Sequence, residues 1–164
     1  MKPIDVIDLK KKHLARFANE TGSIGEGKVV ESMNDWVPRP KGEELKVLLT
    51  VLEEIGISIK RTSFDAISHP YAEDLDFTDH DVITNAISDM VFIEIKTANQ
   101  ERVKEDFSGF FFALTENEIS ASEALGEQHR VALFNKRTGV IKMTTIPDIV
   151  AKAKSSTWQV SVQL

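Results

Sequence analysis

The apolar positions of this chain recur with two periods, and the periods predict helices and strands in turn. Over 41–55, Leu45, Leu48, Leu49, Leu52 and Ile55 step by three and four, which is the stripe of a helix with one apolar face. Gly56 stands where a C-terminal cap glycine belongs. Over 3–19, Ile4, Ile7, Leu14 and Phe17 share one helical face, and Lys10, Lys12 and Arg16 lie opposite. A second helix is expected over 26–35 with Val29, Val30 and Met33 inside, ended by the Val37-Pro38-Arg39-Pro40 break. Period-two alternation predicts a strand over Ile57–Arg61, a short strand over Val82–Thr84, a turn at Asn85–Asp89 and a strong strand over Met90–Thr97. The segment 69–80 reads as an acidic loop and 98–108 as a polar, flexible one.

Gly109–Leu114 is expected to be a buried strand, with Phe110, Phe111 and Phe112 in the core. Thr115-Glu116-Asn117-Glu118 has the spacing of a capping box, so a helix should start there and end at Gly126. Arg130–Phe134 reads as a strand, Asn135–Gly139 as a hairpin turn and Val140–Met143 as its return. Pro147 at a first helical position opens a helix through Lys152, and Trp158, Val160 and Val162 alternate in a last strand. Helices alternating with strands in this way predict an α/β protein with a mixed sheet. The expected organisation is a single domain over 1–164: an N-terminal helical extension (1–40), a core (41–143) and a C-terminal helix and strand (144–164).

Composition narrows the class. The 164 residues are 41% hydrophobic and 28% charged, which excludes a disordered tail, a fibre or a coiled-coil rod. No apolar run approaches the roughly 18 residues of a spanning helix, and no apolar signal core follows Met1. The absence of cysteine excludes a disulfide scaffold, a thiolate zinc site and a thiol nucleophile. A soluble, cytoplasmic protein without membrane contact is expected. With 20 basic and 26 acidic residues the net charge is -6, so any binding of nucleic acid needs its positive charge concentrated locally.

The sharpest chemical feature is Met90-Val91-Phe92-Ile93-Glu94-Ile95-Lys96-Thr97. Strand side chains alternate, so Glu94 and Lys96 share one face, about 7 Å apart. A hairpin through Asn85–Asp89 would bring Asp81 beside Glu94. Mg²⁺ takes oxygen ligands, and Asp81, Glu94 and the Ile95 carbonyl can supply them, with Mn²⁺ as a substitute. Lys96 can then orient the attacking water or oppose charge on a phosphate in transition.

Asp81, the Glu94-Ile95-Lys96 strand and the long helix before them resemble the PD-(D/E)xK nuclease superfamily. The segments after the strand, Phe110–Glu118, the helix to Gly126 and Arg130–Phe134, resemble its branch of Mrr-type restriction endonucleases and NO VEIN C-terminal-like domains. The resemblance covers roughly 41–143. It implies a three-layer restriction-endonuclease-like core of α-β-β-β-α-β order, Mg²⁺ dependence and nucleic-acid hydrolysis. Asp81, Glu94 and Lys96 would be catalytic, joined by a glutamate of the first core helix. Glu44 is the first choice for it, with Glu43 beside it and Glu26 as a rival from the preceding helix.

Other residues carry blander readings. Asp79 is a rival ligand in a loop that is otherwise solvated, and His80 is a candidate neighbour of the site. Asn117 and Glu118 are accounted for by helix capping. Lys10, Lys12 and Arg16 on one helix face, and Lys136 and Arg137 in a hairpin turn, are the candidate contacts to a nucleic-acid backbone. The expected function is a Mg²⁺-dependent nuclease acting on DNA in restriction, defence or repair, with a homodimer or a partner subunit supplying target recognition. The alternative is an inactive nuclease-fold module that binds a protein or nucleic-acid partner. A third reading makes 3–19 the docking element of an assembly.

Overall fold

The structure is a computed structural model that describes residues 26–156, apart from 28 and 32, together with 162 and 163. The helix expected over 3–19, with Lys10, Lys12 and Arg16, lies outside the described residues, as do Trp158 and Val160 of the last strand. Residues 26–27 and 29–31 are helical. The elements that follow are β1 (Trp36–Pro38), α1 (Gly42–Glu54), β2 (Ala66–Ser68), α2 (His80–Ala86), β3 (Val91–Ala98), α3 (Glu116–Leu125), β4 (His129–Asn135), β5 (Ile141–Thr144) and α4 (Ile146–Lys152).

The strands form one mixed sheet in the order β1-β2-β3-β4-β5. β1, β2 and β3 pair antiparallel, β3 and β4 parallel, and β4 and β5 antiparallel. Parallel neighbours need a crossover, and the segment 99–128 that carries α3 supplies it. The protein is therefore α/β, as the alternation of elements predicted.

Of the expected stripe, α1 buries Leu48 and Leu52, joined by Val51, against Phe64, Ile67, Ile83 and Phe92; Leu45 and Leu49 are partly buried, and Ile55, just past the helix, is 50% exposed. Gly56, at φ +86°, ends the helix. Its N–H donates to the Glu53 carbonyl at 3.0 Å, and the Ile57 N–H donates to the Leu52 carbonyl at 2.8 Å, a Schellman closure. Val29 packs with Trp36, Ala66, Ile93, Ile95, Ala132 and Phe134 on the opposite face of the sheet. β3 is thus covered on both sides, which is why its apolar run is nearly continuous.

Three expected strands are corrected. The segment 57–61 alternates but pairs with no strand among the described residues; Ile57 and Ile59 only pack against the core, and the paired strand is Ala66–Ser68, in register with β3. Val82–Thr84 is helical, because the Asp79 side chain accepts from the Asp81 and Val82 N–H groups and so starts α2. The expected turn at Asn85–Asp89 is accordingly the end of α2 and a 3-10 turn, Ile87–Asp89. Gly109–Leu114 is a part of the crossover that pairs with no strand among the described residues. Its alternation turns Phe110, Phe112 and Leu114 inward and leaves Phe111 72% exposed, so the three phenylalanines are not all core.

Candidate active site

Glu94 and Lys96 do share one face of β3, and it is an inner face. In the parallel register Glu94 stands beside Val131 and Lys96 beside Leu133, both apolar and buried. An ammonium and a carboxylate placed there must find partners. Lys96 Nζ lies 2.9 Å from Glu94 Oε1 and 3.0 Å from Glu118 Oε2. Glu118 comes from the first turn of α3, where it completes the capping box. Its Oε2 accepts from the Thr115 N–H at 3.0 Å, and Thr115 Oγ1 accepts from the Glu118 N–H at 3.2 Å. One carboxylate therefore starts the helix and holds the lysine.

The acid opposite Glu94 is Asp65, the residue before β2. Ala66 pairs with Ile93 in the antiparallel register, so Asp65 comes abreast of Glu94. The Asp65 N–H donates to the Ile93 carbonyl at 2.8 Å, and Asp65 Oδ2 accepts from the Ile95 N–H at 2.8 Å. Here a side chain takes the place of the next backbone rung, and the ladder between β2 and β3 ends. The N–H and C=O of a strand residue point to the same neighbour, so the Ile95 carbonyl also faces the Asp65 side.

Burial pushes the Asp65 carboxyl above its ordinary range, against the Ile95 N–H, Lys96 and Arg39. Glu94 is pushed up to about 9, first by burial and then by Asp65, with Lys96 opposing. Glu26, on the helical segment before β1, is pushed up to about 7 by burial and by Asp65, with Arg39 and Lys96 opposing. Burial is the first cause of all three shifts, and for Glu26 and Glu94 the charge of Asp65 adds to it.

His129, at the start of β4, is 1% exposed and points to the same face of the sheet as Phe92 and Glu94. Among the described residues neither ring nitrogen has a hydrogen-bond partner, and burial lowers its pKa to about 4, so it is neutral at pH 7.

The residues expected from sequence divide sharply. Glu94, Lys96 and the Ile95 backbone meet Asp65. Asp81 does not join them: its side chain is 96% exposed on the first turn of α2, 3.7 Å from His80. The hairpin that would have carried it to Glu94 does not exist, because 80–86 is a helix. Glu44 is exposed on α1, and Glu43 pairs with Lys46 at 3.4 Å in solvent, so neither enters the site. Glu26, the rival, is the glutamate that the charge of Asp65 reaches. Asp79 is an N-cap, and His80 Nε2 binds Glu54 at 2.8 Å, tying α2 to α1. Lys136 follows β4 with its N–H on the Ala98 carbonyl at 2.9 Å, and Arg137 pairs with Glu101 at 3.0 Å. Asp65 was missed although the sequence marks it: an acid set into the apolar tetrad Phe64-Asp65-Ala66-Ile67 is poorly explained as a solvated loop residue.

Among the described residues no three His, Asp or Glu side chains are gathered as a metal-holding group. A Mg²⁺ site does not require three, because that ion is held through one or two carboxylates together with waters and substrate phosphate. Glu94, buried, and Asp65, half-buried, both raised and with the Ile95 carbonyl on their side, fit that demand. Compared with protein-family models, curated proteins and solved structures, the chain matches none. No helix among the described residues is long and apolar enough to cross a membrane.

Proposed function

We propose that this chain is a divalent-metal-dependent nuclease that hydrolyses phosphodiester bonds of DNA, built on a restriction-endonuclease-like core. The observation that carries the reading is the meeting of Asp65, from the end of one strand pairing, with Glu94 and Lys96 on the inner face of its antiparallel neighbour. Asp65 takes the place that the sequence pattern had offered to Asp81. Asp65, Glu94 and the Ile95 carbonyl would hold Mg²⁺ or Mn²⁺. When bound, the ion would offset the carboxylate charge and polarise a phosphoryl oxygen. Lys96, fixed between Glu94 and Glu118, is preorganised to oppose charge that builds on the phosphate. Glu26, raised to about 7, can accept a proton from an attacking water near neutral pH. The net charge of -6 favours a second copy or a partner subunit as the source of target recognition.

The test is cleavage of plasmid and oligonucleotide DNA with Mg²⁺ or Mn²⁺. Wild type should cut; Asp65→Asn, Glu94→Gln and Lys96→Ala should each lose at least about 100-fold; Asp81→Asn should match wild type. A wild type as silent as Lys96→Ala would sink the proposal. The second reading, an inactive module of the same fold that binds a partner, draws on one observation: Lys96 is already engaged by two carboxylates. Calorimetry separates the two, since Mn²⁺ should release heat with wild type and not with Asp65→Asn if the site is a metal centre.

A further inference from the structure

Building on the nuclease reading, we infer that Arg39 is the residue that receives a phosphate of the substrate at this site. Arg39 follows β1 and is fastened to the strand end that carries Asp65. Its backbone N–H donates to the Asp65 carbonyl at 2.8 Å, and its Nη1 donates to the Phe64 carbonyl at 2.7 Å. These bonds hold the guanidinium beside the segment that carries Asp65, and its charge acts to lower the pKa of both Glu26 and Asp65.

Among the described residues Arg39 forms no ion pair with any carboxylate. A guanidinium carries five N–H donors in a planar fork. The Phe64 carbonyl takes one, so most of the fork is uncommitted. The other cation of the cluster is in the opposite condition, since Lys96 spends donors on Glu94 and Glu118. A phosphate that approaches Asp65, Glu94, Glu118 and Glu26 meets an excess of carboxylates over cations. Lys96 keeps at most one donor beyond its bonds to Glu94 and Glu118, whereas Arg39, which is half-buried rather than sealed off, offers a fork engaged by no carboxylate among the described residues. A fork can meet two phosphate oxygens at once, as an ammonium cannot. One backbone bond and one side-chain bond to the 64–65 segment hold that fork in place before the ligand arrives.

The experiment is fluorescence anisotropy with labelled single-stranded and duplex oligonucleotides over a salt series. It uses the full chain in EDTA, and the Glu94→Gln variant in Mg²⁺ so that the probe stays whole. Arg39→Gln should weaken binding by at least about tenfold. It should also reduce the slope of log K against log[salt] by about 0.7 for the single strand or about 0.9 for the duplex, the loss of one phosphate contact. Arg39→Lys should keep the salt slope and still bind more weakly, because the fork is gone. A thermal melt establishes that each variant is folded; if Arg39→Gln does not fold, Arg39→Lys decides, and unchanged affinity in it overturns the inference. An unchanged affinity and slope in Arg39→Gln, or a wild type that binds neither probe in either condition, also overturns it. The two proposals fail separately. Cleavage by wild type with no role for Arg39 in binding removes the Arg39 assignment alone. Arg39-dependent binding without cleavage removes the nuclease reading and leaves phosphate capture.

Discussion

Acidification from pH 7 toward pH 4 should cost the fold about 3 kcal/mol through His129 alone. The imidazole is 1% exposed and neither ring nitrogen is hydrogen-bonded among the described residues, so a proton placed on it would create a buried cation. Burial holds its pKa near 4 against the ordinary 6.5, with the Glu118 carboxylate opposing and Arg130 adding to the effect. The unfolded chain takes up a proton below 6.5 and the folded protein does not until about 4. Stability from this group is therefore complete above 6.5 and lost as pH falls through that interval. At about 1.36 kcal/mol per pH unit the interval is worth about 3 kcal/mol, with about 2 kcal/mol gone by pH 5. The raised carboxyls of Glu26, Asp65 and Glu94 work in the opposite sense, since folding favours their protonated forms. The raw stability curve therefore mixes two slopes, and a variant is needed to separate them. His129→Leu removes the titrating group, and replacing an unpaired buried polar side chain with an apolar one should be close to neutral, or stabilising, at pH 7. Urea denaturation of both proteins from pH 7 to pH 4.5 gives the difference directly. The His129→Leu variant should gain on wild type by about 2 kcal/mol or more over that range. Parallel curves would show that His129 is not buried as a neutral ring and would refute the reasoning.

Glu118→Gln should keep the capping box, because an amide oxygen can still accept from Thr115, whereas Glu118→Ala should cost about 1 kcal/mol or more in a thermal or urea melt. Gly109 sits at φ +82°, and a Cβ there would lie 3.0 Å from the Arg102 carbonyl, so Gly109→Ala should destabilise by more than about 1 kcal/mol in urea. The hydrogen bond and charge of Glu54 hold the His80 pKa above 6.5, so the α1–α2 link is present below 6.5 and lost as pH rises through the raised value. NMR titration of His80 should show the raised value, and Glu54→Gln should return it toward the ordinary one.

Much of this molecule is legible residue by residue. The closure of α1 at Gly56, the capping box at Thr115 and the Thr145 cap that starts α4 one residue before Pro147 are set by bonds that span no more than five positions. The shared face of Glu94 and Lys96 is equally local, because alternation belongs to any strand. The Asp79 cap was local too, and reading it as a cap would have turned 80–86 into a helix and removed Asp81 from the site.

The partners of that face are another matter. Asp65 reaches Ile95 across thirty positions, and Lys96 reaches Glu118 across twenty-two. The pairing of β2 with β3 decides the first contact, and the packing of the crossover decides the second. The chain's own pattern determined which residues are helical at α1 and α3, and that a glutamate and a lysine stand side by side on an apolar strand. Tertiary structure alone decided which acid faces them, that the face is buried, and that a glutamate and an arginine arrive from the segment around β1. Backbone hydrogen bonds over a few residues form with little chain entropy to lose. Contacts across tens of positions hold only when the whole sheet and its helical covering form together, and no local stretch of sequence states that arrangement.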